Sequence, residues 1–180
     1  MNSFINSRNE LIEELINFLN CPVILSDQTQ PEQEIPYVIY SVTTPYMPDT
    51  SLGHYTWADS GEDLTEIRSE QPSLTISFTA CGANRWMDEE NYIFGEDEAQ
   101  ELAERAQGFF LHTGYDILDR IGFVVVEVMN AGNRTTLVVD EAARRYGFDV
   151  RLRYARSDKR EVGAVRTVNV KRKGGLITNA

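Results

Sequence analysis

The sequence has 180 residues, 42% of them hydrophobic, which is enough to bury one core without help from a metal or a disulfide. A formal net charge of -11 argues against general affinity for nucleic acid, because phosphate binding needs concentrated lysine and arginine. The two cysteines, Cys21 and Cys81, lack the spacing of a zinc or redox pair and fit a reducing compartment. We expect neither a signal peptide nor a membrane span, since no apolar run approaches the roughly 18 residues that a span requires.

The N-terminal part of the sequence predicts one amphipathic helix followed by strands. Apolar residues recur at spacings of three and four over residues 3–20, which is typical of a helix with one buried face, and Pro22 prevents its continuation. We expect a short strand at residues 21–25 and a polar loop at residues 27–36. Residues 37–42 are β-branched and aromatic, which predicts a strand.

The next segment alternates irregular stretches with strands. Residues 44–63 carry prolines, glycines and aromatic residues without a sustained period, and we interpret them as a long loop or a β-arm. A strand is expected to begin at Leu64. Apolar and hydroxyl side chains then alternate over residues 74–80, which predicts a strand with one buried face. We interpret residues 82–95 as a second polar and aromatic loop.

The second half of the sequence predicts another helix and an apolar strand. Acidic residues at 96–98 open a helix that is expected to end near Gly114, because carboxylates stabilise the N-terminal end of a helix dipole. Residues 117–121 are expected to bridge to the apolar run at residues 123–129, which is typical of a strand in the middle of a sheet. A turn is predicted at residues 130–133.

The last predicted elements complete the fold class. We expect a strand at residues 135–139, one turn of helix around residues 141–145, and a strand at residues 146–154 in which apolar and charged side chains alternate. This order predicts an α+β fold with a mixed or mostly antiparallel sheet, two main helices packed on one face, and the long loop or β-arm.

Charge is distributed unevenly along the chain. Residues 1–150 hold 26 acidic and 8 basic residues, a net charge of -18, whereas residues 151–180 hold 9 basic and 2 acidic residues, a net charge of +7. We expect a single domain at residues 1–156 and a basic C-terminal extension at residues 157–180. Unlike charges favour contact with a neighbouring copy or another protein, and a solvated tail without a partner is the alternative.

The sequence contains no recognisable catalytic constellation. Its two histidines, His54 and His112, do not accompany a nucleophile motif, and the glycine-rich loops that bind phosphate are absent. Residues 88–90 are acidic but lack the spacing of a calcium loop. We therefore predict that the protein is not an enzyme and has no catalytic residue, cofactor or metal site. A small metal-dependent hydrolase or nuclease is the rival hypothesis.

Several short stretches carry a resemblance to a known family. Residues 133–140 (NRTTLVVD) and 144–152 (RRYGFDVRL) resemble the C-terminal signature of the neck or tail terminator proteins of tailed phages. An N-terminal helix, a strand reading PYVIY at residues 36–40 and a strand reading TISFTA at residues 75–80 are similar to that family in their order. The resemblance extends over most of residues 5–155.

The resemblance implies a structural protein of the virion. It implies a homo-oligomeric ring, a hexamer, at the junction of head and tail, which caps the tail tube protein and contacts a neck or connector protein. Double-stranded DNA would pass through the lumen without specific binding. The resemblance further implies assembly in the cytoplasm of the host bacterium, without a membrane partner. Another neck role (stopper or adaptor) and a baseplate ring are the alternatives within the same particle.

Candidate contact residues follow from this interpretation. Four basic residues are expected to pair with acidic residues of the next subunit: Arg144, Arg145, Arg151 and Arg153. Ordinary surface ion pairs within one chain are the alternative. Three aromatic residues are the candidate docking arm onto the tube or neck: Tyr46, Tyr55 and Trp57. The alternative is that these rings cover a small core. Gly147 is expected to serve the backbone geometry at the start of its strand.

Overall fold

The computed structural model describes residues 4–26, 33–49, 52–59, 64–136 and 143–163. These ranges contain three α-helices, one π-helical turn and ten strands. The elements in chain order are α1 (Phe4–Leu19), β1 (Val23–Leu25), β2 (Tyr37–Met47), β3 (His54–Asp59), β4 (Leu64–Glu70), β5 (Ser73–Ala83), β6 (Arg85–Trp86), β7 (Tyr92–Ile93), α2 (Gly95–Gly108), the π-helical turn (Phe109–Thr113), α3 (Tyr115–Ile121), β8 (Phe123–Asn133), β9 (Ala143–Tyr154) and β10 (Arg156–Val162).

The main sheet has five strands in the order β1-β2-β5-β9-β8. Strands β1 and β2 are parallel, and the other neighbouring strands are antiparallel. Helices α1 and α2 pack on one face, where their apolar side chains share one buried cluster with those of β2, β5 and β9. The predicted α+β fold is confirmed.

Strand β5 shows how the sequence pattern builds the core. Leu74, Ile76 and Phe78 are fully buried, because alternate side chains of a strand point to the same face and that face meets the helices. The ring of Phe78 lies 5.1 Å from that of Phe110 and 5.6 Å from that of Phe148. Full burial of an apolar side chain of this size contributes about 1.5–3 kcal/mol. The core therefore depends on these alternating positions.

Strand β8 lies at the edge of the sheet, so the prediction of an interior strand at residues 123–129 is wrong. Val124 and Val126 are 58% and 37% exposed. An apolar run indicates that both faces of a strand are apolar, but it does not indicate whether another strand pairs with each of its two edges. In the described part of the chain, β9 is the one strand that pairs with β8.

Other predicted boundaries around β8 also need correction. The predicted turn at residues 130–133 is part of β8, where the register shifts between Met129 and Gly132, so turn-forming residues here form a bulge. Residues 117–121 lie in α3. Ala143 to Arg145 belong to β9 and not to a helical turn. Thr135 and Thr136 are not in a strand, and the rest of the predicted element at 135–139 lies outside the described residues.

Within the predicted loop or β-arm at residues 44–63, residues 44–47 belong to β2 and residues 54–59 form β3 of a β-arm. Strands β10, β4 and β3 form a three-stranded antiparallel sheet, which we call the arm. The pairing of β5 with β9 continues into it without a change of register, because Ser73 lies opposite Arg153 and Glu70 lies opposite Arg156. Residues 157–162 are thus hydrogen-bonded strand residues, while the division of the chain at residue 156 stays a prediction.

Arg134, one of the residues that carry the family resemblance, links the end of β8 to β5 and β9. Arg134 crosses the sheet face opposite the helices and donates to Ser77 Oγ (2.6 Å), Thr79 Oγ1 (3.2 Å) and Asp149 Oδ1 (2.9 Å). Gly147 lies beneath it, where a Cβ would be 2.7 Å from Arg134 Cδ and 2.6 Å from the Phe78 carbonyl oxygen. Gly147 lies inside β9, and its role is to leave space for the arginine.

The Gly147→Ala substitution should lower the free energy of unfolding by about 1–3 kcal/mol, because the added methyl group displaces Arg134 or the β5 backbone. Gly132→Ala is the matched control, since Gly132 pairs with Gly147 across the ladder and a Cβ there meets no atom within 4 Å. Urea denaturation of both variants checks this prediction. Equal effects of the two substitutions would contradict it.

Candidate protein interface

The arm joins the main sheet through a buried carboxylate. Glu70 is 6% exposed, and among the described residues it is the one buried charged side chain. Arg68 donates to its two oxygens at 2.9 and 2.6 Å, and the Tyr46 hydroxyl donates at 2.9 Å. Arg156 lies 3.7 Å from the carboxylate and 5.6 Å from the centroid of the Tyr46 ring. We call these four residues the elbow cluster.

The elbow cluster keeps its carboxylate ionised. The hydrogen bonds from Arg68 lower the pKa of Glu70, against the opposing effect of burial, and the Tyr46 hydroxyl lowers it further. The bonds to Arg68 in turn stabilise a charged guanidinium. Because the cluster joins residues of β2, β4 and β10, it fixes the direction in which the arm leaves the sheet.

The three aromatic candidates are divided between two places. Tyr46 belongs to the elbow cluster, whereas Tyr55 and Trp57 lie on one face of β3 at 41% and 61% exposure. All six residues of β3 are exposed, so these two rings cover no core in the described part of the chain. An exposed tryptophan beside charged residues is a feature of protein-binding surfaces.

The four arginine candidates also lie on different faces. Arg145, Arg151 and Arg153 alternate with buried residues and share the face opposite the helices, whereas Arg144 belongs to the other face. Arg151 pairs with Glu127 of the same chain. The side chains of Arg144 and Arg153 form no hydrogen bond or ion pair with the described residues. The structure therefore places three of the four arginines on one surface.

The structure adds an aromatic hairpin that the sequence analysis treated as a loop. Trp86 of β6 and the flanking residues Met87 and Phe94 are 60–65% exposed. The ring of Tyr92 in β7 lies 4.9 Å from that of Trp86 and 5.0 Å from that of Phe94. The sequence signal was the concentration of aromatic residues in a polar stretch. A cluster of rings at the surface is typical of a contact site.

The acidic residues and the histidines form no metal site in the described ranges. No group of three or more histidine, cysteine, aspartate or glutamate side chains there is placed to hold a metal ion. Asp88 of the acidic stretch accepts from the backbone nitrogens of Glu90 and Asn91 and so closes its own hairpin. His54 and His112 lie on different elements. No described helix has the length and apolar character needed to cross a bilayer.

A core that presents clustered aromatic and apolar side chains at its surface is typical of a protein that associates with other proteins. The family model described as phage neck terminator protein matches residues 9–175, and the chain belongs to this family. This confirms the resemblance inferred from the sequence. A search of curated proteins finds no match. The family places the chain in the virion as a structural protein that associates with other tail or neck components.

The Glu70→Gln substitution should lower the free energy of unfolding by about 1–3 kcal/mol at pH 7, because it leaves Arg68 beside a neutral amide. The folded pKa of Glu70 is depressed, so its stabilisation is present above the ordinary glutamate pKa of about 4.3 and is lost as the pH falls below it. Urea denaturation from pH 7 to pH 3 measures this.

Glu90→Gln is the control for this prediction, because the Glu90 side chain is exposed and makes no ion pair with the described residues. This control should stay close to the wild type at every pH. A difference between wild type and Glu70→Gln that grows on acidification would contradict the assignment of a depressed pKa.

Proposed function

We propose that the protein assembles into a six-subunit ring that caps the tail tube at the head–tail junction. The ring joins the tube to the neck and lets DNA pass through its lumen. The observation that carries this proposal is the match to the neck terminator family over residues 9–175. We propose that it acts as a structural component without catalysis and assembles in the cytoplasm of the bacterial host.

The presence of acidic and basic surfaces on one subunit supports a ring. A head-to-tail contact requires two different and complementary patches on each subunit. The exposed face of α2 is acidic and carries Glu96, Asp97, Glu101 and Glu104. The face of β9 opposite the helices carries Arg145, Arg151 and Arg153. We propose that these arginines, together with Arg144, contact acidic residues of the next subunit.

The overall charge supports passage of DNA. Each chain carries a formal charge of -11, which six copies multiply around a ring. Negative charge repels phosphate, so a lumen lined partly by carboxylates would let the duplex move without binding it. In the proposed ring, dsDNA therefore passes through the lumen without specific binding.

The arm supports a contact with the tube or neck. Tyr55 and Trp57 are exposed on β3, and the elbow cluster, which includes Tyr46, fixes the direction of the arm. A rigid platform that presents exposed aromatic rings provides contact area at a low entropic cost. We propose that Tyr55 and Trp57 contact the tail tube protein or the neck protein.

Light scattering of the protein alone and with purified tail tubes tests the ring. We expect a species of six times 20.5 kDa, about 123 kDa, either free or at the tube end. Electron microscopy should show tubes closed at one end. A protein that stays monomeric with tubes present and leaves their ends open would contradict the proposal. Binding to a portal or adaptor protein in place of the tube would indicate a stopper.

The Trp57→Ala substitution should weaken tube binding by about tenfold or more, because loss of an exposed aromatic anchor removes contact area without affecting the core. Trp86→Ala is the matched control, since Trp86 is similarly exposed but lies on the β6–β7 hairpin. Binding of tubes by each variant, together with its thermal midpoint, checks the prediction. Tube binding by Trp57→Ala that equals that of the wild type would contradict the assignment to the arm.

A further inference from the structure

An apolar groove lies between α3 and the outer part of β8. Leu111 and Tyr115 on the helical side are 65% and 74% exposed, and Val126 on the strand side is 37% exposed. Three exposed apolar side chains beside one another are costly in water and are typical of a contact site. No described element covers this groove.

The edge of β8 gives the groove its shape. The register of β8 against β9 shifts between Val125 and Glu127, so Val126 is an extra residue in the strand. A bulge of this kind bends the strand and discourages regular pairing along its free edge. The groove is therefore suited to side chains of a docking segment more than to a full hydrogen-bonded strand.

Acidic residues border the groove. Asp119 lines it, and Asp116 lies one helical turn before Asp119 on α3. Neither residue forms an ion pair with the described part of the chain. Glu127 also lines the groove and is already paired with Arg151. A partner that places basic residues beside α3 would therefore meet two available carboxylates.

The chain itself contains a segment of matching chemistry. Residues 164–180 hold four basic residues and no acidic one, and the sequence VRTVNVKRK at residues 165–173 combines β-branched residues with the basic cluster. The family match extends to residue 175, so most of this segment belongs to the part of the chain that the family model covers.

The described end of β10 lies away from the groove of its own chain. Arg156 lies at the elbow, and Val162 lies opposite Leu64, the first residue of β4, at the far end of the arm. Six residues of strand separate the two positions by about 20 Å. The groove lies at the level of the elbow, because Phe123 pairs with Tyr154. The last paired residue of β10 therefore lies about one strand length from the groove of its own chain.

We propose that the basic segment at residues 164–173 of one subunit docks in the groove between α3 and β8 of the next subunit. Val168 and Val170 enter the apolar part, and Lys171 and Arg172 lie against Asp116 and Asp119. This inference rests on the proposed ring and names a contact that closes it. Such an exchange is head-to-tail, since the donor segment and the acceptor groove are different surfaces.

Cysteine cross-linking in the full chain tests the docking. Cys21 and Cys81 are buried, so a cysteine added at the surface is the reactive thiol. Chains carrying Leu111→Cys, at an exposed position that lines the groove, are mixed with chains carrying Val168→Cys, with and without tail tubes, and oxidised. We expect about tenfold more disulfide-linked dimer than in a control mixture, because docking brings the two thiols to an effective concentration in the millimolar range.

The control mixture uses Gln100→Cys in place of Leu111→Cys, since Gln100 is exposed on α2, away from the groove. Equal cross-linking with the control would overturn the inference. In a chain that carries both Leu111→Cys and Val168→Cys, an intrachain disulfide that forms in the presence of excess wild type would also overturn it, because the segment then docks on its own subunit.

Light scattering of the same samples separates the two proposals. If rings form without the specific cross-link, the docking proposal is wrong and the ring proposal stands. If the protein stays monomeric in the presence of tubes, the ring proposal is wrong. A specific cross-linked dimer under those conditions would still support the docking contact.

Charge reversal gives an independent readout of the same contact. Asp119→Arg and Lys171→Glu should each weaken self-association roughly threefold to tenfold, and the two changes together should restore part of the loss. Additive losses in the combined variant would count against the pairing.

Discussion

The pairing of β5 with β9 is the constraint on which the rest of the structure depends. This ladder runs from Ala83 to Ser73 and continues in the same register into the pairing of β4 with β10. One of its faces supplies the buried positions that meet the helices, and the other carries charged residues. Because the same two chain segments build both sheet and arm, the arm is an extension of the core ladder and not a separate unit. A shift of one residue would exchange the two faces along its whole length.

The elbow cluster lies where this continuous ladder passes from the helix-covered sheet into the exposed arm. Beyond Glu70 the strands leave the helices behind, and β3 has no buried residue. A three-stranded sheet without a core on either face gains little from the hydrophobic effect. The charge-assisted bonds of Glu70 with Arg68, and its contact with Tyr46, supply interactions at the point where apolar packing ends. A fixed arm of this kind presents its exposed side chains in one direction, which suits a protein that assembles with others.

The exposed surfaces agree with the family to which the chain belongs. A neck protein must contact several neighbours at once, and the described part of the chain has distinct surfaces on the arm, on the β6–β7 hairpin, on the arginine-bearing face and at the groove beside β8. These surfaces differ in chemistry, from aromatic to basic to apolar with an acidic border. Surfaces that differ in chemistry favour specific contacts, because a partner that complements one surface does not complement the others.

The amphipathic helix, the alternation in β5 and β9, the α+β class and the family signature could all be predicted from the sequence alone. Each depends on local periodicity or on a short motif, and residues that are close together in the sequence determine both. Only the tertiary structure decided that β8 lies at an edge, that Gly147 makes room for Arg134, and that Glu70 is buried among polar groups. These features depend on which distant segments meet across the sheet, and the order of side chains along one strand does not encode its neighbours.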